Sequence, residues 1–188
     1  NPCETNIKAF ETINTQYANV FITYSSNDFC GLIPMTTKTC GTNCNWKYYH
    51  SNTTLILWGE GGVMESYNAN DYPWYDKRNE ITTVSINDIT TIGTNAFYGC
   101  TEITNIEIPT SVTTIGNYGF AECSKLENVT YPVTITSKSS TIFEGCDVMK
   151  TITLNGKGPM QTYSEGNQPW NSVMTQITTI NIGDEVES

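Results

Sequence analysis

"AFYGC" at 96–100 returns as "GFAEC" at 119–123 and again as "IFEGC" at 142–146, so a Phe and a Cys recur at one constant interval. An active site needs a given residue once. A residue needed three times at constant spacing fills the same slot in stacked copies of one structural unit. Each of these marks is preceded by a short alternating apolar segment: "ITTVSI" (81–86), "ITNIEI" (103–108) and "LENVTY" (126–131). Two more segments, "MKTITL" (149–154) and "ITTINI" (177–182), follow the same pattern. Alternation with β-branched residues predicts a strand with one face inward and a face of Thr, Asn, Ser and Glu outward. The starting points make three nearly equal steps and then one longer step. Between strand and Phe, "TTIGTNAF" (90–97) and "TTIGNYGF" (113–120) each place a Gly that ends the strand. That Gly is expected to lead into a helical or 3₁₀ return turn.

One strand and one return segment in about 23 residues lies in the leucine-rich-repeat range of roughly 20–29. The expected fold is β-rich, with some α+β character: a right-handed solenoid of short strands and helical or 3₁₀ returns. Its rungs fall near 54–57, 81–86, 103–108, 126–131, 149–154 and 177–182. A longer period overlies the short one, because "LWGEGGVMESYNANDYPWYDKRNEITTVSIND" (57–88) reappears as "LNGKGPMQTYSEGNQPWNSVMTQITTINIGD" (154–184). Pro73 and Trp74 of the first copy match Pro169 and Trp170 of the second. Residues 1–45 stand outside the period and read as an N-terminal cap or extension, with 46–188 forming the solenoid. A cap covers the otherwise bare end of such an array. Within it Ile7, Phe10, Ile13 and Tyr17 are spaced as one helix face, with a strand-like "NVFITY" (19–24) after them.

The bulk composition narrows the function classes. The 188 residues carry a formal charge of −10, which disfavours nucleic acid and anionic membrane surfaces as partners. The longest aliphatic and aromatic run, Leu55 to Trp58, is far too short for insertion into a bilayer. A chain opening Asn1-Pro2-Cys3 reads as a mature or trimmed product. Seven Cys and two N-glycosylation sequons, at Asn52 and Asn128, point to an extracellular or cell-surface setting.

The motifs "I-G-x-x-A-F-x-x-C" and "I-x-I-P-x-S-V-T-x-I-G", with the introductory "G-x-G-x-M…Y…P-W", resemble the BspA-like leucine-rich-repeat surface proteins of some bacteria and anaerobic protists. The stretch from Ile106 to Cys123 is nearly that family's repeat written out, and the resemblance covers about 40–188. It departs at 132–141, where "PVTITSKSS" replaces the Ile-Gly turn, and Gly119 and Ile142 stand where Ala96 stands in the first repeat. The resemblance implies a solenoid outside the cell, linked to adhesion and without known catalysis.

The candidate sites follow from these readings. Phe97, Phe120 and Phe143 should stack in one internal column, with Cys100, Cys123 and Cys146 beside it. Adjacent rungs about 4.8 Å apart would permit a disulfide, yet three thiols in a column cannot all pair. The reading adopted is buried Cys acting as a small apolar side chain. Cys3, Cys30, Cys40 and Cys44 are irregularly spaced and read as two disulfides stapling the cap. The alternative, zinc on Cys30, Cys40, Cys44 and His50, suits an oxidising compartment less well. With one His, no nucleophile elbow and no phosphate loop, no enzyme and no cofactor is expected.

Trp74 and Trp170, each after Pro, read as structural plugs in preference to sugar platforms. The remaining candidate is the outward strand face, with Thr83, Ser85, Asn105, Glu107, Asn128, Thr130, Thr151 and Thr153. Its partner would be a protein or a glycan. The last rung has a strand but no return segment, so Ile177, Ile180 and Ile182 are expected to lie open as a self-assembly end. Head-to-tail polymerisation into a filament is the alternative function.

Overall fold

The computed structural model describes residues 38–137, 139–159 and 161–187. The expected helix at 7–17, the strand at 19–24, and Cys3 and Cys30 lie outside the described residues. Alternating apolar residues give the strands β1 Lys38–Thr42, β2 Cys44–Tyr49, β3 Thr54–Met64 and β4 Thr83–Ile92, followed by β5 Asn105–Glu107 and β6 Thr114–Ile115. The chain continues through β7 Asn128–Pro132, β8 Thr151–Asn155, β9 Gly158–Pro159, β10 Thr179–Ile182 and β11 Val186–Glu187. Antiparallel pairing joins β1, β2 and β3, and from β3 onward the pairing turns parallel. One sheet has the order β1-β2-β3-β4-β6, and a second has the order β10-β8-β7-β5. β11 and β9 form a small parallel pair of their own.

The registers reproduce the short period. Asn105 pairs with Asn128, Asn128 with Thr151, and Thr151 with Thr179. The inward partners Ile106, Val129 and Ile152 are all buried. The long period is equally plain, with short 3₁₀ helices at the equivalent places Tyr75–Lys77 and Asn171–Val173. β3 is longer than the strand expected at 54–57, because Gly59, Gly61 and Gly62 continue it through a register shift. A Cβ on Gly59 would lie 1.5 Å from the Asn43 carbonyl oxygen, so only glycine lets the β1–β2 turn approach so closely.

The return segments are not helices. In 95–100 alternate N–H groups bond within the turn and to the next rung. Ala96, Tyr98 and Cys100 donate within the turn, to the carbonyls of Gly93, Asn95 and Phe97. Asn95, Phe97 and Gly99 donate to the carbonyls of Asn117, Gly119 and Ala121. An α-helix needs every N–H for its own i−4 carbonyl, so this interleaving excludes it. Left-handed backbone at Asn95, Tyr118 and Glu122 (φ 56°, 58° and 58°) breaks helical continuity again. The 3₁₀ turns fall instead in the Pro-Trp segments.

The core runs as columns under the strands. Phe97 and Phe120 are stacked with centroids 4.9 Å apart and planes at 6°, and Phe120 and Phe143 are 5.9 Å apart at 16°. All three are fully buried. Trp74 heads this column, 5.6 Å from Phe97, and its Nε1 donates to the Ala96 carbonyl at 2.9 Å. Trp170 sits edge-on to Tyr131 at 5.7 Å. Both indoles are buried, which suits plugs and removes them as sugar platforms. Cys100, Cys123 and Cys146 are buried free thiols. The Cys123 Sγ donates to the Phe97 carbonyl and the Cys146 Sγ to the Phe120 carbonyl, at 3.2 and 3.1 Å. Each of these two thiols thus ties its rung to the carbonyl of the rung before.

Candidate functional site

The outward face of the parallel strands is built by register. Thr83 and Ser85 stand on β4, Asn105 and Glu107 on β5, Asn128 and Thr130 on β7, and Thr151 and Thr153 on β8. Strict alternation puts these side chains on one face, opposite the buried Ile106, Val129 and Ile152. Asn105 and Asn128 form one row with Thr151, while Glu107 and Thr130 form a second with Thr153. Side chains bond along the rows: Asn128 Nδ2 donates to Asn105 Oδ1 at 2.7 Å, and Asn181 Nδ2 to Thr153 Oγ1 at 3.3 Å. Asn105 Nδ2 donates to Thr104 Oγ1 at 2.9 Å, which fixes the amide in both directions.

The face is flanked by ion pairs between neighbouring rungs. Lys125 reaches Glu102 at 2.7 Å and Lys150 reaches Glu127 at 3.4 Å. Both pairs are solvent-exposed and contribute little to stability, of order 0–1 kcal/mol each. Glu107 has no cationic partner among the described residues. A shallow cleft of about 580 Å³ opens in the face. It gathers Thr83, Asn105, Glu107, Asn128, Thr130 and Thr153, and leaves Ser85 and Thr151 outside. Thr82 and Thr104, outward-facing polar residues of the same segments, join its lining.

The other predicted sites are placed as follows. Cys40 and Cys44 form a disulfide across the β1–β2 hairpin, so those sulfurs are not thiolate ligands for zinc. Asn52 is exposed in the β2–β3 turn, where its carbonyl accepts from Thr54 Oγ1 at 3.3 Å. Asn128 is exposed in mid-face with its amide nitrogen committed to Asn105. Ile177 is half-buried, while Ile180 and Ile182 are 54% and 66% exposed although they pair with buried Ile152 and Leu154. His50 stands edge-on to Tyr48 at 4.8 Å. Among the described residues no group of three His, Cys, Asp or Glu side chains is disposed to hold a metal ion. No helix among them is long and apolar enough to cross a membrane.

The largest titration shifts belong to the core. Burial pushes the Cys100 thiol up to about 12. The hydrogen bond with Cys146, followed by burial, raises Cys123 well above the usual thiol range. Burial also raises Tyr67, Tyr72 and Tyr131. Each shift keeps a buried group neutral, which is a packing role.

Among solved structures, the chain is similar to a leucine-rich repeat protein from Eubacterium ventriosum, at 21% identity and a TM-score of 0.48. That likeness covers 79% of this chain and 43% of the other. A leucine rich cell surface protein from Faecalibacterium prausnitzii matches at 20% identity and a TM-score of 0.38, over 71% of this chain and 41% of that one. A leucine-rich repeat protein from Bacteroides ovatus matches at 16% and 0.36, over 77% and 53%. The chain thus spans about half the length of these structures or less. No curated protein matches it. The family pattern described as "BspA type Leucine rich repeat region" matches residues 70–188 in six copies. Those residues hold the Phe and Cys columns and the parallel rungs, and the chain belongs to the BspA-type leucine-rich-repeat family.

Proposed function

We propose that this chain is a non-enzymatic interaction module of a right-handed leucine-rich-repeat solenoid, acting outside the cell or on its surface in adhesion-type binding through the strand face. The observation that carries the reading is the pair of polar rows held in register across β5, β7 and β8, a continuous surface of hydroxyls and amides. Extended faces of this kind are where repeat arrays engage partners. The most strongly raised titratable groups lie in the core, so the chemistry the face offers a ligand is hydrogen bonding. Family membership and the two sequons support a surface setting. Beads coated with the protein and presented to immobilised glycoproteins, polysaccharides and matrix proteins should adhere to at least one class. Thr130→Arg, which plants a bulky cation in the face, should abolish adhesion without lowering the melting temperature. Adhesion unchanged in that variant would overturn the reading.

A second reading is favoured by one observation. Ile180 and Ile182 are exposed on β10, the outer strand of its sheet, at positions whose register partners are core. Covering that edge with a second copy would polymerise the protein head to tail into a filament. Sedimentation velocity of the protein and of Ile182→Lys decides it: linear oligomers that vanish in the variant support polymerisation, and a monomer at high concentration ends it.

A further inference from the structure

The parallel ladder has one break. β3 pairs with β4, and β5 pairs with β7, but β4 and β5 belong to different sheets. The core beneath is continuous across them, since Ile81, Ile103 and Leu126 are all buried and Phe97 stacks on Phe120. Elsewhere successive rungs share backbone bonds at this level, as when Glu127 N–H donates to the Thr104 carbonyl and Lys150 N–H to the Glu127 carbonyl. Among the described residues no backbone bond links 82–87 to 103–108. The far edges of both strands are occupied, β4 by β3 and β5 by β7. Two rows of N–H and C=O groups therefore face a seam, and backbone groups of this sort require partners. The cleft lies over the seam, with Thr82 and Thr83 on one bank and Thr104, Asn105 and Glu107 on the other.

We propose that this seam is a saccharide subsite that takes a neutral oligosaccharide; the proposal rests on the strand-face reading above and names its ligand class. A sugar hydroxyl both donates and accepts, so successive hydroxyls can satisfy the two backbone rows as water does. The side chains on the banks supply the same kind of group. Thr83 and Thr104 offer hydroxyls, and Asn105 offers an amide already held by Thr104 and Asn128. Glu107 lines the cleft and, unlike Glu102 and Glu127, carries no ion pair among the described residues. Its two oxygens can accept from both hydroxyls of a vicinal diol. That carboxylate, on a chain of net charge −10, selects against sialylated or uronate sugars. With Trp74 and Trp170 buried, recognition rests on hydrogen bonds instead of ring stacking.

The test uses the whole chain and a printed array of neutral hexose and N-acetylhexosamine oligosaccharides alongside their sialylated counterparts. Binding to neutral members and not to the sialylated ones is expected. The strongest neutral binder is then titrated calorimetrically, and Glu107→Gln should weaken it about tenfold, the size of one charge-assisted hydrogen bond. Asn105→Ala should weaken it comparably, with the melting temperature of both variants checked against wild type. Amide shifts in ¹⁵N spectra should centre on 82–85 and 104–107. An array without a neutral binder overturns the proposal, and so does binding that both substitutions leave unchanged. Capture of a basic protein by the same face, lost in Glu107→Gln, would overturn the saccharide class while leaving the strand-face reading standing.

Discussion

Replacing Phe120 by Ala removes the middle ring of the aromatic column. The ring is fully buried and lies between Phe97 at 4.9 Å and Phe143 at 5.9 Å, both nearly parallel to it. Returning it to water costs about 2 kcal/mol in transfer free energy. Removing two stacked ring pairs, at roughly 0.5–1.5 kcal/mol each, brings the total to about 3–5 kcal/mol. That agrees with the range of about 3–5 kcal/mol for Phe→Ala in packed cores, where the cavity is only partly refilled. The backbone bonds of Phe120, from its N–H to the Ile142 carbonyl and from Cys146 Sγ to its own carbonyl, do not depend on the side chain. The loss is therefore one of packing. For a chain of this size each kcal/mol corresponds to about 2–4 °C, so the midpoint should fall by roughly 6–20 °C. Thermal melting followed by far-ultraviolet circular dichroism and by tryptophan fluorescence measures it, the latter because Trp74 packs on the head of the column. A midpoint within about one degree of wild type would refute the stacked column.

Three further outcomes are expected. Gly93→Ala should cost at least the ~1–3 kcal/mol of an overpacked core, because its Cβ would lie 1.7 Å from the Glu65 carbonyl oxygen; an unchanged urea midpoint would contradict that close approach. Folded Cys100 titrates near 12 and the buried tyrosines are raised, so above about 9 the unfolded chain loses protons first. Stability should accordingly be level from neutral pH to about 9 and decline towards 12; urea titrations that stay level throughout would refute the burial of these groups. Cys100, Cys123 and Cys146 should resist alkylation in the native protein and react after unfolding, as mapped by peptide mass spectrometry; fast native labelling of any one would remove it from the column.

Much of the rung arrangement could be read from spacing because each copy repeats the same burial problem. Phe97, Phe120 and Phe143 had to meet one another once the strands stacked in parallel. The same interval, carried one step further back from Phe97, reaches Trp74, which heads the column. That step is hidden in sequence because the residue type changes from Phe to Trp. The helical returns failed for a different reason. Whether Phe97 N–H bonds within its turn or to Gly119 depends on a neighbour a full rung away, which local propensity does not register. The candidate face was legible in its alternation, with Asn105, Glu107, Asn128 and Thr130 all on the outward side. The seam between β4 and β5 was not, since backbone pairing leaves no mark in side-chain type. Its one trace is a slightly shorter step from Ile81 to Ile103 than from Ile103 to Leu126 or from Leu126 to Met149.

The alternating bonds of the return segments also dictate where this chain can change length. Asn95, Phe97 and Gly99 reach the carbonyls of Asn117, Gly119 and Ala121, and Phe120 and Glu122 reach those of Ile142 and Glu144, always at the same offset. Inserting a single residue inside a return segment, between Asn95 and Gly99, would turn the later donors from the neighbouring rung onto their own turn and unlatch that part of the row. The Pro-Trp excursions escape that constraint: the two copies differ by a single deletion near Gly62, yet both deliver their 3₁₀ turns and their following strands in matching places. Insertions and deletions are therefore expected outside the return segments, in those excursions and in the links from strand to return, where Ile81 to Phe97 is already one residue shorter than Ile103 to Phe120. Within this lineage, length variation should accumulate outside the returns, and the spacing inside them should outlast the identity of the residues that occupy them.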